Sequence, residues 1–461
     1  MYTFADELRL FRDRTEPKHF QGLIIVGTGQ SITAALLIGT LKVDHIAFLL
    51  SDATKTMPDQ VAEMLGCSSA DWLRIPLSNT STLAIYEGVK IVIEQWKHLE
   101  RSRIALDMTG GLKPMTVGLA KAGHLLGLQT LYIESEYGKP PEEKPGPKPG
   151  TQRLIIPPNP YKVFGDLEAE EAKHLYRNHD YNGARRIFAK LAEQEQIPHQ
   201  QTYQAYHHLS AAYAAWEVLD FRTAESELLL CTRLASGQAE LLPYISTLKQ
   251  QCEDLQALLE ITSYVAGKDA NQKLATLADT RAILRLLGTL RSAAQRRAYN
   301  QRYDIAALFQ YRAIELIGQH RLATHKLLSD KPNYTKLQAL TPDELKARFK
   351  TVQLRVNQRR NNINEQPSGK LPHQHITLFK AYMLLAALDD ALIADYDWLA
   401  IESRTASRNE SILAHGYRLI DPSEYKSFAQ VADELYTRLL DLYGEDKAAW
   451  QARSQFIQPF A

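Results

Sequence analysis

The sequence has few cysteines, no excess of charge of either sign and no long apolar run. Its three cysteines, Cys67, Cys231 and Cys252, lie far apart, which argues against a disulfide framework and against a structural zinc site. The 54 basic and 53 acidic side chains give a net charge of +1, without the basic excess typical of a constitutive nucleic-acid binder. No window approaches the roughly 20 apolar residues of a membrane span, and the first residues show no signal-peptide pattern. We therefore expect a cytoplasmic protein without a membrane partner and without stable DNA binding.

The first third of the chain alternates short apolar segments with helical ones, and the rest is almost entirely helical in its periodicity. A length of 461 residues allows two to four domains at ~150 residues each. Apolar segments separated by helices are typical of a parallel sheet buried on both faces. The fold class that we predict is an α/β Rossmann-like N-terminal domain followed by an all-α region from about Asp166. The predicted strands are residues 23–26, 45–50, 72–75, 103–107, 130–133 and 151–156.

Three segments of the helical region have an aromatic residue followed by alanine at a boundary between two helices. They are residues 180–184, 220–224 and 303–306. This pattern lets two helices approach closely, as in tetratricopeptide-like hairpins. Three irregularly spaced copies are too few for a solenoid, so we interpret them as structural.

A glycine-rich turn follows the first predicted strand. A turn of this kind that opens a helix presents backbone N–H groups and the positive end of the helix dipole, which suit a phosphate. The dinucleotide fingerprint is incomplete because Ile32 stands where it needs a third glycine. The alternative is a tight turn that needs glycine for a positive φ. The residues of this turn are Gly27, Thr28, Gly29, Gln30 and Ser31.

A second glycine-containing turn follows the fourth predicted strand, which ends at Asp107. Thr109 offers a hydroxyl group, and Gly110 and Gly111 allow close approach of a ligand to the backbone. Lys113 lies in the first helical turn, where a cation is unfavourable unless an anion lies beside it. The alternative is a solvated lysine with glycines that serve the turn. Because the carboxyl ends of parallel strands meet at one edge, the two turns together predict a nucleotide or phosphodiester site.

The third candidate lies near the end of the chain, where Arg408 and His415 are seven residues apart in a helix-periodic stretch. In one helix they would lie about two turns apart, on a face shared with Ser411. An imidazole can exchange protons with the 2′-OH or the 5′-oxygen of RNA, and a guanidinium can bind the scissile phosphate. The alternative is an ordinary surface arginine and a histidine with a structural partner. We predict no metal site, since the alternate histidines His373 and His375 lack nearby carboxylates or thiolates.

Together these segments resemble the CARF–HEPN ribonucleases, the cyclic-oligoadenylate-activated ancillary nucleases of type III CRISPR systems. Residues 107–113 are similar to the Asp-x-Thr-Gly-Gly-x-Lys segment of the CARF domain, and residues 408–416 are similar to the HEPN motif. The resemblance implies a CARF-like ligand-sensing domain at 1–165, a helical linker region at 166–275 and a HEPN-like ribonuclease domain, an all-α bundle, at 276–461. Leu112 departs from relatives that have threonine there, which removes a possible ligand hydroxyl.

The resemblance also assigns roles to residues. Arg408 and His415 are expected to be catalytic, with Asn409 orienting them. No cofactor is required, and a cyclic oligoadenylate, with a slight preference for the tetra-adenylate, is the expected allosteric activator. The implied partners are single-stranded RNA as substrate and a second copy of the chain, in a homodimer that shares one activator ring. The expected ligand-site residues are Gly27, Thr28, Gly29, Gln30, Ser31, Thr109, Gly110, Gly111 and Lys113.

These observations predict an activator-gated endoribonuclease that cuts single-stranded RNA without metal and leaves 2′,3′-cyclic phosphate ends. A non-catalytic cyclic-nucleotide sensor or regulator is the first alternative. A nicotinamide-dependent oxidoreductase is a remote one, because the third glycine is missing and only Asp52 lies near the end of the second strand.

Overall fold

Six short strands form one sheet in the first part of the chain. The computed structural model describes residues 2–138, 147–194, 199–362, 365–413 and 416–460 and consists of two compact units, Met1–Leu167 and Glu168–Ala461. The predicted division at residues 165 and 275 stays a prediction. The strands of the first unit are β1 (His19–Val26), β2 (Lys42–Leu50), β3 (Leu73–Pro76), β4 (Ile104–Asp107), β5 (Gln129–Glu134) and β6 (Arg153–Ile155).

Helices cover both faces of this sheet. Consecutive residues of a strand point to opposite faces, and in these strands both sets are apolar. Leu23 and Ile25 of β1 belong to the core on one face, and Ile24 and Val26 belong to the core on the other. Burial on both faces was the sequence-based expectation, and it is confirmed. The helices of this unit are α1 (Phe4–Arg14), α2 (Ser31–Thr40), α3 (Met57–Leu65), α4 (Thr82–Gln95), α5 (Lys113–Leu126) and α6 (Pro160–Phe164).

The strand order is β3-β2-β1-β4-β5-β6, and the sheet is mixed where a parallel one was predicted. Strands β1 to β5 are parallel, whereas β6 pairs antiparallel with β5. An antiparallel bridge between Tyr137 and Pro147 continues this pairing toward the connection. The returning strand therefore lies beside its predecessor as in a hairpin, which needs no crossover helix. Most of the proline-rich connection, residues 139–146, lies outside the described residues.

The second unit consists of helices and their connections over its described residues. None of the helices described in the chain combines the length and the apolar character of a membrane span. The helices that lie in this unit or lead into it are α7 (Asp166–Arg177), α8 (Tyr181–Glu193), α9 (Gln200–Glu217), α10 (Phe221–Ala235), α11 (Ile245–Ala266), α12 (Ala270–Ala278), α13 (Thr280–Tyr299), α14 (Tyr303–Thr324), α15 (Pro342–Arg359), α16 (Leu378–Ala387), α17 (Ile401–Glu410), α18 (Pro422–Tyr443) and α19 (Lys447–Ser454).

The three repeated segments begin the helices α8, α10 and α14, and each follows a turn between two helices, so their interpretation as structural is consistent with the fold. The turn before each segment contains a non-glycine residue with positive φ: His179 at 62°, Leu219 at 63° and Gln301 at 59°. Asp180 and Asp220 follow the first two, and their carboxylates cap α8 and α10 by accepting a backbone N–H from the first helical turn. The segments therefore fix the geometry of helical hairpins.

Residues after α19 complete the core formed by helices α7 to α11. Phe456, Ile457 and Phe460 are buried in that core. The Tyr176 hydroxyl donates a hydrogen bond of 2.9 Å to the carbonyl of Ile457. The Phe456 ring stacks on the Tyr213 ring with 3.9 Å between their centroids. Side chains more than 200 positions apart in the sequence thus share one apolar cluster.

Candidate functional site

The two predicted glycine-containing turns lie at one edge of the sheet, at the point where the chain changes direction. From β1 the chain passes to β2 and β3 on one side, whereas from β4 it passes to β5 on the other side. Because β1 and β4 are parallel neighbours, their carboxyl ends are adjacent. In open α/β sheets this topological switch point is where ligands bind. The structure therefore brings the two predicted halves of the site together.

Close packing explains two of the glycines in these turns. A Cβ atom on Gly110 would lie 2.6 Å from the Thr28 methyl carbon, and one on Gly27 would lie 2.5 Å from the Thr54 hydroxyl oxygen. The alternative that Gly27 and Gly29 serve a positive φ is wrong, because within the two turns only Gly111 has one, at 104°. Lack of space, and not backbone conformation, excludes a side chain at Gly27 and Gly110.

The helices that follow β1 and β4, α2 and α5, have no side-chain cap at their N-termini. Neither has an acidic residue in its first turn, whereas α1 and α4 are capped by Thr3 and Ser81. The first N–H groups of a helix lack partners within the helix and carry partial positive charge. Lys113 is exposed in the first turn of α5, and it forms no ion pair with any residue that the structure describes. The edge thus suits an anionic ligand.

The polar side chains of the second turn are tied into the sheet. The Thr109 hydroxyl accepts a hydrogen bond of 2.9 Å from the backbone N–H of Ile133, and the Thr109 N–H donates to the Asp107 carboxylate at 2.9 Å. Burial raises the pKa of the Asp107 carboxyl, and the hydrogen bonds from Thr109 oppose this rise. Thr109 therefore positions the turn, and Gly110, Gly111 and Lys113 present the accessible surface.

In the first turn the side chains hold the backbone in place. The Thr28 hydroxyl accepts a hydrogen bond of 3.1 Å from the N–H of Gln30. The Ser31 hydroxyl donates to the Gln60 side chain at 2.8 Å. Gly29 and Gln30 are exposed. Access for a ligand is therefore greatest at the middle of this turn.

The third predicted site lies between α17 and α18, where the structure corrects the predicted helix. Arg408 and Asn409 lie in α17, which ends at Glu410, and His415 lies outside the described residues. Ser411 forms a bridge with Arg418, and the N–H of Ile412 donates to the carbonyl of Arg418 at 2.9 Å. One continuous helix over residues 408–416, with Ser411 on a shared face, is therefore wrong. A local bridge replaces the next helical turn.

This loop is fastened to the rest of the second unit by a residue that sequence reasoning missed. The carboxylate of Asp304, in the first turn of α14, accepts a hydrogen bond of 2.8 Å from the N–H of Ile420. Arg418 forms an ion pair of 2.9 Å with Glu424 of α18. Tyr417, directly before Arg418, is 94% exposed. Asp304 and Ile420 are 116 positions apart in the sequence, so no local sequence pattern predicts this contact.

One group of side chains in the described part of the chain has the donors of a metal site. His207 and His208 of α9 and Glu227 of α10 each offer one ligand atom, and these atoms lie within 4.8 Å of one another. His208 Nδ1 is already 2.8 Å from the Glu227 carboxylate, and His207 Nδ1 is 3.0 Å from the carbonyl oxygen of Arg185. These contacts join α9 to α8 and to α10 and are consistent with ordinary helix packing.

Two family models match segments of the chain after its first third, and one curated relative matches most of the chain. Residues 276–439 match the family model described as the Csm6 HEPN domain, and residues 164–261 match the Csm6 6H domain. The CRISPR system endoribonuclease Csm6 of Thermus thermophilus is 28% identical over 426 residues, which cover 89% of this chain and 83% of that protein. The solved structure of Enterococcus italicus Csm6 bound to cyclic hexa-2′-fluoro-hexa-dAMP aligns with a TM-score of 0.46 and 10% identity, over 96% of this chain and 99% of that one. The HEPN match includes Arg408, Asn409 and His415.

Proposed function

Since this chain belongs to the Csm6 family of CARF–HEPN proteins, we propose that it is a cyclic-oligoadenylate-activated endoribonuclease of type III CRISPR antiviral defence. Its substrate is single-stranded RNA in the cytoplasm. The observation that carries the proposal is the position of Arg408 and His415 inside the segment that matches the Csm6 HEPN domain. The relative from Thermus thermophilus, itself named an endoribonuclease, supports the same activity.

The chemistry that we propose needs only side chains of the chain. The ribose 2′-oxygen attacks the adjacent phosphorus while the His415 imidazole exchanges the proton that the 2′-OH loses and the 5′-oxygen gains. The P–O5′ bond breaks, giving a 2′,3′-cyclic phosphate and a 5′-hydroxyl, so no water is consumed. The Arg408 guanidinium stabilises the charge that develops on the phosphate oxygens, and Asn409 orients the pair. Neither role requires a metal ion.

We propose the edge at the carboxyl ends of β1 and β4 as the activator site. The uncapped N-termini of α2 and α5 and the exposed cation of Lys113 support the binding of phosphodiester groups there. Gly110 and Gly111 give the ring access to the backbone. The cyclic tetra-adenylate is the ring that we expect first. Leu112 is 59% exposed at the start of α5 and presents an apolar side chain where a threonine would offer a hydroxyl. The ligand-site residues are Gly27, Thr28, Gly29, Gln30, Ser31, Thr109, Gly110, Gly111 and Lys113.

We propose that the active form is a homodimer. A cyclic oligoadenylate has internal symmetry, so two identical sites related by a twofold axis can bind one ring. Two Arg408–His415 sets then form one composite site. Exposed apolar side chains beside that segment, Ile412, Leu413 and Leu419, support its coverage by a second copy. Activation follows if the ring binds the active arrangement more tightly than the inactive one.

The test is cleavage of a fluorogenic single-stranded RNA in EDTA, with cyclic tetra-adenylate or cyclic hexa-adenylate added. We expect cleavage that requires one ring and is lost in His415→Ala. The matched control is His373→Ala, which removes an exposed histidine of the same unit and should keep full activity. Mass spectrometry of the products should find 2′,3′-cyclic phosphate ends.

Two results would contradict the proposal. If the His415→Ala protein still cleaves RNA, the imidazole is not part of the mechanism. If a ring raises the melting temperature of the chain but no RNA is cut, the protein is a non-catalytic sensor.

A further inference from the structure

An open cavity of about 630 Å³ lies where the turns before α8, α10 and α14 meet. These turns precede the three repeated segments, so the repeats converge on one place in the second unit. Pockets for small ligands have volumes of roughly 300–1,000 Å³, and this cavity therefore has room for a group of the size of a nucleotide. Among the residues that line it are Asn182, Val218, Asn300, Arg302 and Ile305.

Three polar side chains of this lining are available to a ligand. Asn182, Asn300 and Arg302 are exposed, and none of them forms a side-chain hydrogen bond with any residue that the structure describes. Asn178 lines the same cavity but donates a hydrogen bond of 3.0 Å to the carbonyl of His174. A ligand can therefore bind the first three side chains without breaking a contact within the protein.

The charges around the cavity favour an anionic group. The Glu217 carboxylate forms ion pairs with Arg296 and Arg297, and the Asp180 carboxylate caps α8. Both carboxylates of the lining thus have partners, whereas Arg302 pairs with no carboxylate in the described ranges of the chain. A free guanidinium presents N–H donors in a planar arrangement that matches a phosphate group.

Apolar side chains border the same cavity. Val218 is 65% exposed and Ile305 is 37% exposed. Tyr299, next to Asn300 in the chain, is 63% exposed, and its ring centroid lies 5.1 Å from that of the His179 ring. A nucleobase has two apolar faces, which stack on aromatic rings, and a polar edge, which amide side chains can bind. The surroundings of Arg302 therefore suit a base as well as a phosphate.

The cavity is linked to the loop that follows α17. Asp304 stands between the lining residues Arg302 and Ile305, and its carboxylate accepts the hydrogen bond of 2.8 Å from the N–H of Ile420. Ile420 is five positions after His415, and five residues span at most roughly 18 Å. The cavity and the proposed catalytic segment are therefore within the reach of one RNA strand.

We propose that this cavity binds one nucleotide of the RNA substrate, with its phosphate on Arg302 and the edge of its base on Asn182 and Asn300. The inference rests on the proposed function, which supplies the RNA strand. It adds a binding subsite apart from Arg408 and His415. Arg302 then holds the strand and takes no part in bond cleavage.

The subsite is tested by the binding of a fluorescent single-stranded RNA to the full chain carrying His415→Ala, with the activator ring present. Fluorescence anisotropy at several salt concentrations gives the affinity and its salt dependence. Arg302→Met should weaken binding by about threefold to tenfold. The slope of log affinity against log salt should become shallower by about 0.7, the contribution of one phosphate contact on a single strand. Because Arg302 is exposed and unpaired among the described residues, the melting temperature should not change.

The matched control is Arg233→Met. Arg233 is an exposed arginine in the last turn of α10, outside the lining of the cavity, and its loss should leave the affinity and the slope unchanged. Equal slopes in the Arg302→Met and Arg233→Met proteins would overturn the subsite and leave the proposed function standing. A parent chain that neither binds nor, with His415 restored, cleaves RNA would overturn both proposals.

Cleavage kinetics separate a binding role from a catalytic one. In the protein that keeps His415, Arg302→Met should raise KM by about threefold to tenfold and leave kcat within about twofold, as expected for an interaction that is equal in the ground state and the transition state. An unchanged KM would contradict the subsite.

The position of the nucleotide is tested by photo-crosslinking of thiouridine-containing RNA, followed by mass spectrometry of the peptides. We expect crosslinks in the peptides that contain Asn182 or Asn300. Crosslinks confined to other peptides would overturn the proposal.

Discussion

Thr28 and Gly110 meet where the two halves of the sheet diverge, and their contact leaves no room for one more carbon. A Cβ atom at Gly110 would lie 2.6 Å from the Thr28 methyl group but 3.3 Å from its hydroxyl oxygen. The two turns of the proposed activator site can thus approach this closely because residue 110 has no side chain, and the Thr28 methyl group occupies the space.

Gly110→Ala should therefore push the turns apart and weaken the binding of the activator ring. Overpacking of this kind costs about 1–3 kcal/mol of folding free energy, and titration calorimetry with cyclic tetra-adenylate would measure the resulting loss of ring affinity. Thr28→Ser removes the methyl group that collides and keeps the hydroxyl. The double variant Gly110→Ala, Thr28→Ser should recover most of the loss. Additive losses in the double variant would show that the contact does not set the separation.

Lys113→Ala should weaken ring binding by about tenfold, since a charge-assisted contact to a phosphate is lost. The loss should shrink at high salt, because screening weakens the interaction in the wild-type protein. Lys121→Ala is the matched control, since Lys121 is exposed on the same helix beyond its first turn. Equal losses from both lysines would indicate a general charge effect and no specific contact.

Asp107→Asn should change how stability depends on pH. Burial raises the pKa of Asp107, so the unfolded carboxyl loses its proton first, and the stability of the wild-type chain should fall as pH rises above the ordinary value of 3.8. Asparagine keeps an oxygen that accepts the Thr109 N–H and removes the buried charge. Chemical denaturation should show that the free energy of unfolding of the Asn variant increases relative to that of the wild type between about pH 4 and about pH 8. A constant difference between the two proteins would contradict this assignment.

Asp390→Asn should destabilise the second unit strongly. The Asp390 side chain is fully buried and binds Arg321 at 2.8 Å and His325 at 2.7 Å. Burial alone would raise the pKa of the carboxyl, but its hydrogen bonds with His325 and Arg321 hold it below the ordinary value. Removal of one partner of a buried pair costs about 3–5 kcal/mol, measurable by chemical denaturation near neutral pH.

The neighbouring Asp389 provides the control for this substitution. Its carboxylate is 78% exposed and pairs with Arg348, so Asp389→Asn should change stability by at most about 1 kcal/mol. The contribution of Asp390 should be present above the ordinary carboxyl pKa and be lost as pH falls through its lowered value. Similar losses from the two variants would mean that the buried network is not what stabilises the unit.

The sequence predicted the sheet well because its signals are local. Strand β1 is apolar on both faces, and α5 begins at Lys113, which was predicted to lie in a first helical turn. The direction of β6 was not predictable in the same way, since an apolar segment has the same pattern in a parallel and in an antiparallel pair. Only its pairing partners fix its direction.

The last candidate segment shows where local patterns fail. Its residues have helical periodicity, yet the helix stops at Glu410 because the chain instead pairs Ser411 with Arg418. The N–H of Ile420 then binds Asp304, a residue of a different helix. Tertiary contacts of this kind override intrinsic helix preference, and a single sequence does not record them.

The burial of Phe456, Ile457 and Phe460 among helices α7 to α11 has a consequence for the order of synthesis. Those hairpins leave the ribosome about 200 positions before the residues that complete their core. Until then, Tyr176 and Tyr213 lack the backbone and ring partners against which they pack. Helices α7 to α11 therefore complete their core only after the segment between them and Phe456, which contains the proposed catalytic residues Arg408 and His415, has been translated.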